Sequence, residues 1–197
     1  MTDSGERPAD PVLRAAVLEL EAHAAEAGWD APARLFALVG TEALVRDEPE
    51  LATELGITAG GAGLTAIEQE QVPGEELEEL LLGIAWPPSV DGCAVVLERV
   101  VLPPEAEEQV PDDPQEAAAF AAGHPNASEV RIVAAVTRLG GTHSAVRVRT
   151  QDDPPVDPPP GSSLGPPPLI EGSDLVPTLL ELLASTLTGP DDPGLPD

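Results

Sequence analysis

The sequence predicts an α+β domain with a mostly antiparallel sheet of about five strands and with N-terminal, intervening and C-terminal helices packed on it. Three observations lead to this prediction. Apolar residues recur at helical spacing near both ends of the chain, a long apolar run follows a Trp-Pro-Pro corner in the middle, and two β-branched runs flank a Gly-Gly dipeptide.

The apolar run extends from Cys93 to Val101 and is interrupted only by Glu98 and Arg99. A strand that is apolar on both faces usually lies inside a sheet that is covered on both sides. Proline cannot donate to a strand ladder, so Pro103-Pro104 ends the strand. We therefore expect this strand to be central.

Helix signals lie on both sides of the central strand. Asp10 before Pro11 is typical of a capped helix start, and Gly28 of its end. Asp113 with Glu116 has the spacing of a capping box. The remaining predicted elements are a strand at Arg34–Val39, short helices from Thr41 and from Pro49, a strand at Leu64–Val72, a helix with Leu77, Leu80, Leu81 and Ile84 on its buried face, and a last helix capped by Ser173 or Asp174.

The clearest hairpin spans Glu129 to Thr150, with a two-residue turn at Gly140-Gly141. That turn would set Val133 opposite Val148 and make theirs the core face. The other face would then carry a basic patch in an otherwise acidic chain. We predict Arg138, Arg147, Arg149 and His143 as partner-binding residues.

Composition and patterning divide the chain into five segments. Eight prolines between Gln151 and Gly172 are typical of an extended linker. The predicted organisation is a disordered N-terminus (1–9), the α+β domain (10–150), a proline-rich flexible linker (151–172), a C-terminal helix docked on the domain (173–188) and a disordered tail (189–197).

The formal net charge is −27, from 36 acidic residues and nine arginines without lysine. Such a field repels nucleic acids and anionic membranes. The N-terminus lacks the apolar core of a signal peptide, no run is long enough to span a bilayer, and Cys93 has no cysteine to pair with. We expect a cytoplasmic protein.

Catalytic and metal motifs are missing from the sequence. The three histidines are scattered, no metal-ligand spacing occurs, and no dinucleotide or phosphate loop is present. Ser144 follows His143 directly, but adjacent residues of a strand point to opposite faces, so they cannot form a dyad. We predict no catalytic residues, no metal, no cofactor and no enzymatic activity.

Several strings together are similar to an actinobacterial family of conserved proteins with no assigned activity. The resemblance covers about Leu13 to Leu187, and its strings are Gly28-Trp29-Asp30, Arg34–Val39, Gly83–Pro87 and Gly92–Pro104. It implies a cytoplasmic actinobacterial protein and no chemistry. Acidity, size and element order also resemble secretion-chaperone-like α+β proteins, which bind other polypeptides, often as dimers.

Two functions remain open. The preferred one is a non-catalytic protein-interaction module, an adaptor or chaperone-like protein whose partner is another polypeptide. The alternative is a small-molecule-binding or enzymatic domain, with a site built from Arg99, Arg147, Arg149 and a carboxylate such as Glu98. A deep pocket beside those arginines would favour the alternative, and a flat surface would favour the interaction module.

Overall fold

The computed structural model describes residues 10–57, 61–69, 77–107, 109–111, 113–149 and 169–188. Over this part of the chain the α+β prediction is confirmed. The elements are α1 Pro11–Ala27, β1 Arg34–Gly40, α2 Thr41–Asp47, α3 Pro49–Glu54, β2 Leu64–Glu68, α4 Leu77–Gly83, β3 Gly92–Val101, α5 Pro104–Glu107, α6 Pro114–Gly123, β4 Ser128–Thr137, β5 Thr142–Val148, β6 Leu169–Gly172 and α7 Pro177–Leu187.

The strands form one antiparallel sheet in the order β2-β1-β3-β4-β5-β6. The sheet has six strands where about five were predicted. As expected, β3 lies inside it, between β1 and β4, and its first six residues are buried. A run apolar on both faces can be stable there because helices cover both sides of the sheet.

The sheet separates two apolar cores. One lies under α1, where Leu13, Val17 and Leu20 pack on the apolar residues of β1, β3, β4 and β5. The other lies under α4 and α7, where Leu77, Leu81, Leu180, Leu183 and Leu187 pack on the opposite face. We call these the α1 face and the α7 face.

The predicted helix caps are confirmed at two helices. The Asp10 carboxylate accepts hydrogen bonds from the first-turn N–H groups of α1, and Asp113 does the same for α6. The last helix begins later than predicted. It starts at Pro177, because proline fits the first turn of a helix. Residues 173–176 form a bend and not a first helical turn, and the side chain of Val176, the residue before the helix, makes no capping hydrogen bond.

The sixth strand corrects the predicted linker of residues 151–172. Its last four residues, Leu169–Gly172, form β6 and pair with β5. The pairing comes from an available sheet edge, which local composition does not reveal. Residues 151–168 and the predicted disordered ends, 1–9 and 189–197, lie outside the described residues. The strand predicted at Leu64–Val72 ends at Glu68, and residues 70–72 are also outside them.

The hairpin turn also differs from the prediction. Its loop has three residues, Arg138-Leu139-Gly140, closed by a hydrogen bond from the Thr137 N–H to the Gly141 carbonyl at 2.9 Å. Gly140 has a φ of +77°, the left-handed conformation that three-residue hairpins require of glycine. Val133 is therefore opposite Ala145 instead of Val148, a shift of three residues. An odd shift exchanges the two faces of one strand relative to the other.

Candidate functional site

The register decides where the hairpin arginines lie. Arg131 and Arg147 are directly opposite each other on the α1 face, and His143 is on the same face. Arg149 follows β5 and shares this side, since its side chain lies against the α1–β1 turn. Arg138 was predicted on the same face as Arg147 and Arg149, and this is wrong. It lies in the turn and contacts the end of α7 instead.

Two of these arginines stack on the turn between α1 and β1. The guanidinium carbon of Arg131 is 4.4 Å from the ring centroid of Trp29, and that of Arg149 is 5.5 Å from it. The turn needs special backbone angles, with φ of 86° at Gly28 and 66° at Asp30. A left-handed aspartate is uncommon and is retained only where its surroundings hold it. We call this group the Trp29 clasp.

Hydrogen bonds hold the strained turn within the clasp. The Glu98 carboxylate accepts from the Asp30 N–H at 2.7 Å and from Arg131 Nη2 at 3.0 Å. Arg131 also donates to the Gly28 carbonyl. The Arg131 side chain is only 2% exposed, so its charge depends on these partners for compensation.

The outer side of the clasp is exposed to water. Arg149 donates to both oxygens of Asp30, at 3.0 and 3.1 Å, and to the Glu129 carboxylate. The hydrogen bond from Arg149 holds the pKa of Asp30 below its ordinary value. Such exposed pairs are weak in water. They do, however, neutralise a predicted partner-binding arginine with acids of its own chain.

Arg147 has an equally close internal partner. Its Nε and Nη2 atoms donate to the two carboxylate oxygens of Glu21 on α1, at 2.5 and 2.6 Å. The Glu21 side chain is 4% exposed and that of Arg147 15%. A bidentate pair of this kind ties α1 to β5 beneath the helix. The sequence pattern of α1 gave no sign that this glutamate is buried.

His143 is 3% exposed beneath α1, beside an ion pair at the sheet edge. Its Nε2 atom is 3.5 Å from Glu171 Oε2, and Arg14 contacts both oxygens of Glu171, at 2.7 and 2.9 Å. The hydrogen bond from Arg14, with a smaller contribution from the nearby His143, lowers the pKa of Glu171 below its ordinary 4.5. This group fastens β6 to α1.

We expect the Glu171 group to loosen in acid. A carboxyl whose folded pKa is depressed contributes stability above its unfolded pKa, near 4.5, and this is lost as the pH falls through the folded pKa. Urea denaturation between pH 7 and pH 3 should show wild type losing more stability than Arg14→Ala below about pH 4.5. Parallel curves for the two proteins would contradict this role for Arg14.

Arg138 is bound to backbone carbonyls on the α7 side. Its guanidinium donates to the carbonyls of Val90 at 2.8 Å, Trp86 at 2.9 Å and Pro87 at 3.0 Å, and to that of Leu187. The Leu187 carbonyl belongs to the last residue of α7, and a cation at this end of a helix also interacts favourably with the helix dipole. Arg138 thus connects the hairpin turn, the Trp-Pro corner and the final helix.

Arg138→Ala should lower the free energy of unfolding by about 2–3 kcal/mol, because it removes four charge-assisted hydrogen bonds at a half-buried position. Urea denaturation would measure the loss. Arg46→Ala is a matched control, since Arg46 is exposed and its guanidinium pairs with the exposed carboxylate of the neighbouring Asp47, and we expect no measurable change for it. Equal effects of the two variants would overturn this role of Arg138.

The alternative site predicted from Arg99, Arg147, Arg149 and Glu98 is not assembled as one unit. Glu98 is opposite Arg131 on the α1 face, whereas Arg99 is opposite Val130 on the α7 face. Adjacent residues of a strand point to opposite faces, so Arg99 is separated from the other two arginines by the sheet. Any site on Arg99 must be built from the α7 face.

Arg99 lines an apolar hollow of about 320 Å³ on that face. Its floor consists of the buried side chains of Leu77, Leu97 and Ile132. Its walls come from the first turns of α7, namely Val176, Pro177, Thr178, Leu179 and Leu182. The leucines of the wall are half-buried. We call this hollow the α7 groove.

A second hollow, of about 400 Å³, lies beside Arg149, between the end of α6 and the start of β4. Polar side chains of His124, Ser128, Glu129 and Arg149 line it together with alanines of α6. The His124 ring accepts a hydrogen bond from the Asn126 N–H at 3.2 Å and packs against Phe120. This hollow is the feature nearest to the pocket that the alternative function requires.

The environment of Cys93 does not favour a nucleophilic thiolate. The thiol is fully buried beneath α7, 3.5 Å from the Thr186 hydroxyl. Burial raises its pKa to about 11, so it stays protonated at neutral pH. Ser144 and His143 point to opposite faces as predicted, and Ser144 donates to the Gly172 carbonyl at 3.0 Å.

The described residues contain neither a cluster of metal ligands nor a membrane-spanning helix. No group of three or more histidine, cysteine or carboxylate side chains there is arranged to hold a metal ion. None of the helices in that part of the chain has the length and apolar character to cross a membrane.

Sequence reasoning missed Trp29, Arg131 and Glu21 as members of charged clusters. The available signal for Arg131 and Glu98 was a charged residue inside an otherwise apolar strand, which requires a buried partner. No comparable local signal existed for Glu21, because the other two glutamates of the same helix, Glu19 and Glu26, are exposed.

Comparison with known proteins places the chain at the level of the family. No curated protein and no solved structure matches it. One family model, described as PPA1309-like protein, matches residues 13–188, which include every described element from the first turn of α1 to the end of α7. The chain therefore belongs to the PPA1309-like protein family.

Proposed function

We propose that this protein is a non-catalytic interaction module that binds a short apolar segment of another polypeptide in the α7 groove. The observation that carries the proposal is the groove itself, an opening of about 320 Å³ with a buried aliphatic floor and half-buried leucine walls. Docking sites for peptides commonly combine an apolar groove with a few polar groups at its edge.

The internal pairing of the arginines supports the groove over the arginine patch as the docking surface. Arg147 and Arg149 bind acids of their own chain, His143 is buried, and Arg138 binds backbone carbonyls. A partner would have to displace these contacts to reach the side chains. An open apolar groove offers surface without that loss.

The net charge, the buried thiol and the sequence resemblance indicate the class of partner and the compartment of the protein. The net charge of −27 disfavours nucleic acids and anionic membranes as partners. A lone buried thiol suits a reducing compartment, so we assign the protein to the cytoplasm. The sequence strings quoted above support an actinobacterial origin, and the likeness to secretion-chaperone-like proteins supports a polypeptide partner.

Selection from a phage-displayed library of random peptides tests the proposal. Immobilised wild-type protein should enrich apolar sequences. The variant Leu179→Asp, which places a charge in the groove wall, should bind the enriched peptides at least tenfold more weakly. Leu82→Asp is the matched control, because Leu82 is 75% exposed on α4 and does not line the groove. Failure to enrich any peptide, or equal loss in both variants, would contradict the proposal.

The small-molecule alternative has one supporting observation, the polar hollow of about 400 Å³ beside Arg149. A thermal-shift screen of small polar metabolites would test it. A stabilising compound whose effect disappears in Ser128→Ala would favour this function over the interaction module. A screen without such a compound, together with enriched peptides, would eliminate it.

A further inference from the structure

We propose that β6 and α7, residues 169–188, are exchanged between two copies of this chain, so that each copy supplies the sixth strand and the last helix of the other. We call these residues the C-terminal segment. Reciprocal exchange closes as a two-fold dimer. It goes beyond the proposed function, because it joins the protein to a second copy of itself. Three features lead to it: the connection that precedes the segment, the contacts of β6 and the contacts of α7.

The connection between β5 and β6 is much longer than the geometry of the two strands requires. Arg147 is directly opposite Leu169, so the end of one strand and the start of the other lie about 5 Å apart. A loop of about two to five residues is enough to join neighbouring antiparallel strands, whereas residues 149–168 join these two. At about 3 Å per residue this length reaches as far as about 60 Å. The C-terminal segment can therefore reach a second copy while β5 keeps its place in the sheet.

The composition of the connection favours exchange over a return to the same sheet. Eight of its residues are prolines. Proline fixes φ near −65°, which disfavours the compact turns that bring the two ends of a chain together. A connection whose preferred span exceeds the distance between its two ends lowers the effective concentration of the attached segment at its own site. Each copy therefore retains its own segment less firmly than a short hairpin loop would.

The side chains that hold β6 belong to the domain and contact specific atoms of the strand. Arg14 contacts both carboxylate oxygens of Glu171, and the buried His143 lies 3.5 Å from one of them. The Ser144 hydroxyl donates to the Gly172 carbonyl at 3.0 Å. These domain residues all precede the connection, so the same contacts form with the identical strand of a second copy.

The contacts of α7 can be exchanged in the same way. The carbonyl of its last residue, Leu187, accepts a hydrogen bond from Arg138, and the Thr186 hydroxyl accepts one of 3.0 Å from the Trp86 indole N–H. Leu183 is fully buried against the sheet. Water disfavours exposure of such an apolar helix, so a released segment binds the equivalent site of a second copy. In the dimer, the walls of each α7 groove come from the second copy.

The charge of the protein sets the conditions under which the dimer forms. Two chains with a net charge of −27 repel each other, which opposes association at low ionic strength. The Debye length is about 8 Å at physiological salt, and the connection reaches much farther, so salt screens most of the repulsion between the two domains. We therefore expect the dimer fraction to increase with salt.

Two charge-reversed variants test the exchange. Arg14→Glu and Glu171→Arg each set like charges against one another where β6 is held. When the two variants are unfolded in urea, mixed and refolded together, exchange places opposite charges together in both halves of the dimer. Size-exclusion chromatography with light scattering should show about tenfold more dimer, or more, in the mixture than in either variant alone. A mixture without additional dimer would overturn the inference.

The control carries both substitutions, Arg14→Glu and Glu171→Arg, in one chain. It restores opposite charges within a single copy and shows that the reversed pair is compatible with the fold. Exchange with either single variant then gains nothing, because one half of the dimer still has like charges. Additional dimer in such a mixture would show that the two chains associate through another surface, and it would contradict exchange.

A shortened connection tests the exchange with every contact of β6 and α7 unaltered. Replacing residues 150–168 with a five-residue Gly-Ser loop lets β5 and β6 pair as an ordinary hairpin. Refolded at high protein concentration in salt, wild type should contain dimer, whereas the shortened variant should be monomeric. A monomeric wild type, or equal dimer in both proteins, would overturn the inference. The proposed function is tested separately, by peptide binding to wild type.

Discussion

Replacing Arg131 with alanine is expected to lower the free energy of unfolding by about 3–5 kcal/mol, the usual loss when one partner of a buried ion pair is removed. Arg131 is 2% exposed, and Glu98 is 17% exposed beside it. The substitution leaves the Glu98 carboxylate without its cation and frees the Gly28 carbonyl and the Trp29 ring. Urea denaturation followed by circular dichroism would measure the effect.

Two further variants show whether the Trp29 clasp is the cause. Glu98→Gln keeps the size of the side chain and removes its charge, so it should destabilise the protein less than Arg131→Ala. In a Trp86→Phe background, the fluorescence of Trp29 should shift on loss of Arg131, because the guanidinium stacks 4.4 Å from the ring. A loss below about 1 kcal/mol, in the range of exposed pairs, would mean that water replaces the arginine and that the clasp is not a stabilising unit.

Replacing Glu21 with alanine is expected to lower the free energy of unfolding by about 3 kcal/mol, since it removes a buried carboxylate that accepts two hydrogen bonds from the half-buried Arg147. The combined change Glu21→Leu with Arg147→Met should recover most of that loss, because apolar residues of similar volume can replace a buried ion pair without penalty. Urea denaturation of the single and double variants would measure the loss of stability and its recovery. Glu19→Ala, an exposed position of the same helix, is the control.

A double variant that remains as unstable as Glu21→Ala would contradict this account, since the loss would then come from packing and not from the broken ion pair. The same experiments separate the two roles of the arginine face. If the arginines serve internal pairing, Arg147→Ala with Arg149→Ala lowers stability and leaves peptide binding in the α7 groove unchanged. If they serve a partner, stability hardly changes and binding is lost.

Element types could be predicted from the sequence because their signals are local. Asp10 and Asp113 cap the helices that follow them, and the apolar run after Gly92 is an inner strand. In each case the residues that decide the structure lie within a few positions of one another. The sixth strand was missed because Leu169–Gly172 owes its pairing to the edge of β5, more than twenty residues earlier in the chain.

The faces of the hairpin could not be predicted, because they depend on a single turn. Gly140-Gly141 allows either a two-residue or a three-residue loop, and the structure has the latter with Leu139 at its exposed tip. The shift of three residues moved Arg138 to the α7 side and left Arg131 with Arg147 and Arg149. A pattern of alternating residues identifies the two faces of one strand and leaves open which faces of two strands coincide.

The sequence by itself determined the α+β class, the antiparallel sheet, the inner position of β3 and the strong negative charge, since these follow from local patterning and composition. Only the tertiary structure decided which acids pair with the arginines, that Arg99 and Glu98 lie on opposite faces, and that an apolar groove remains open beside α7. These features join residues that are far apart in the chain. Their positions depend on register and packing, which the order of residues within any one element does not specify.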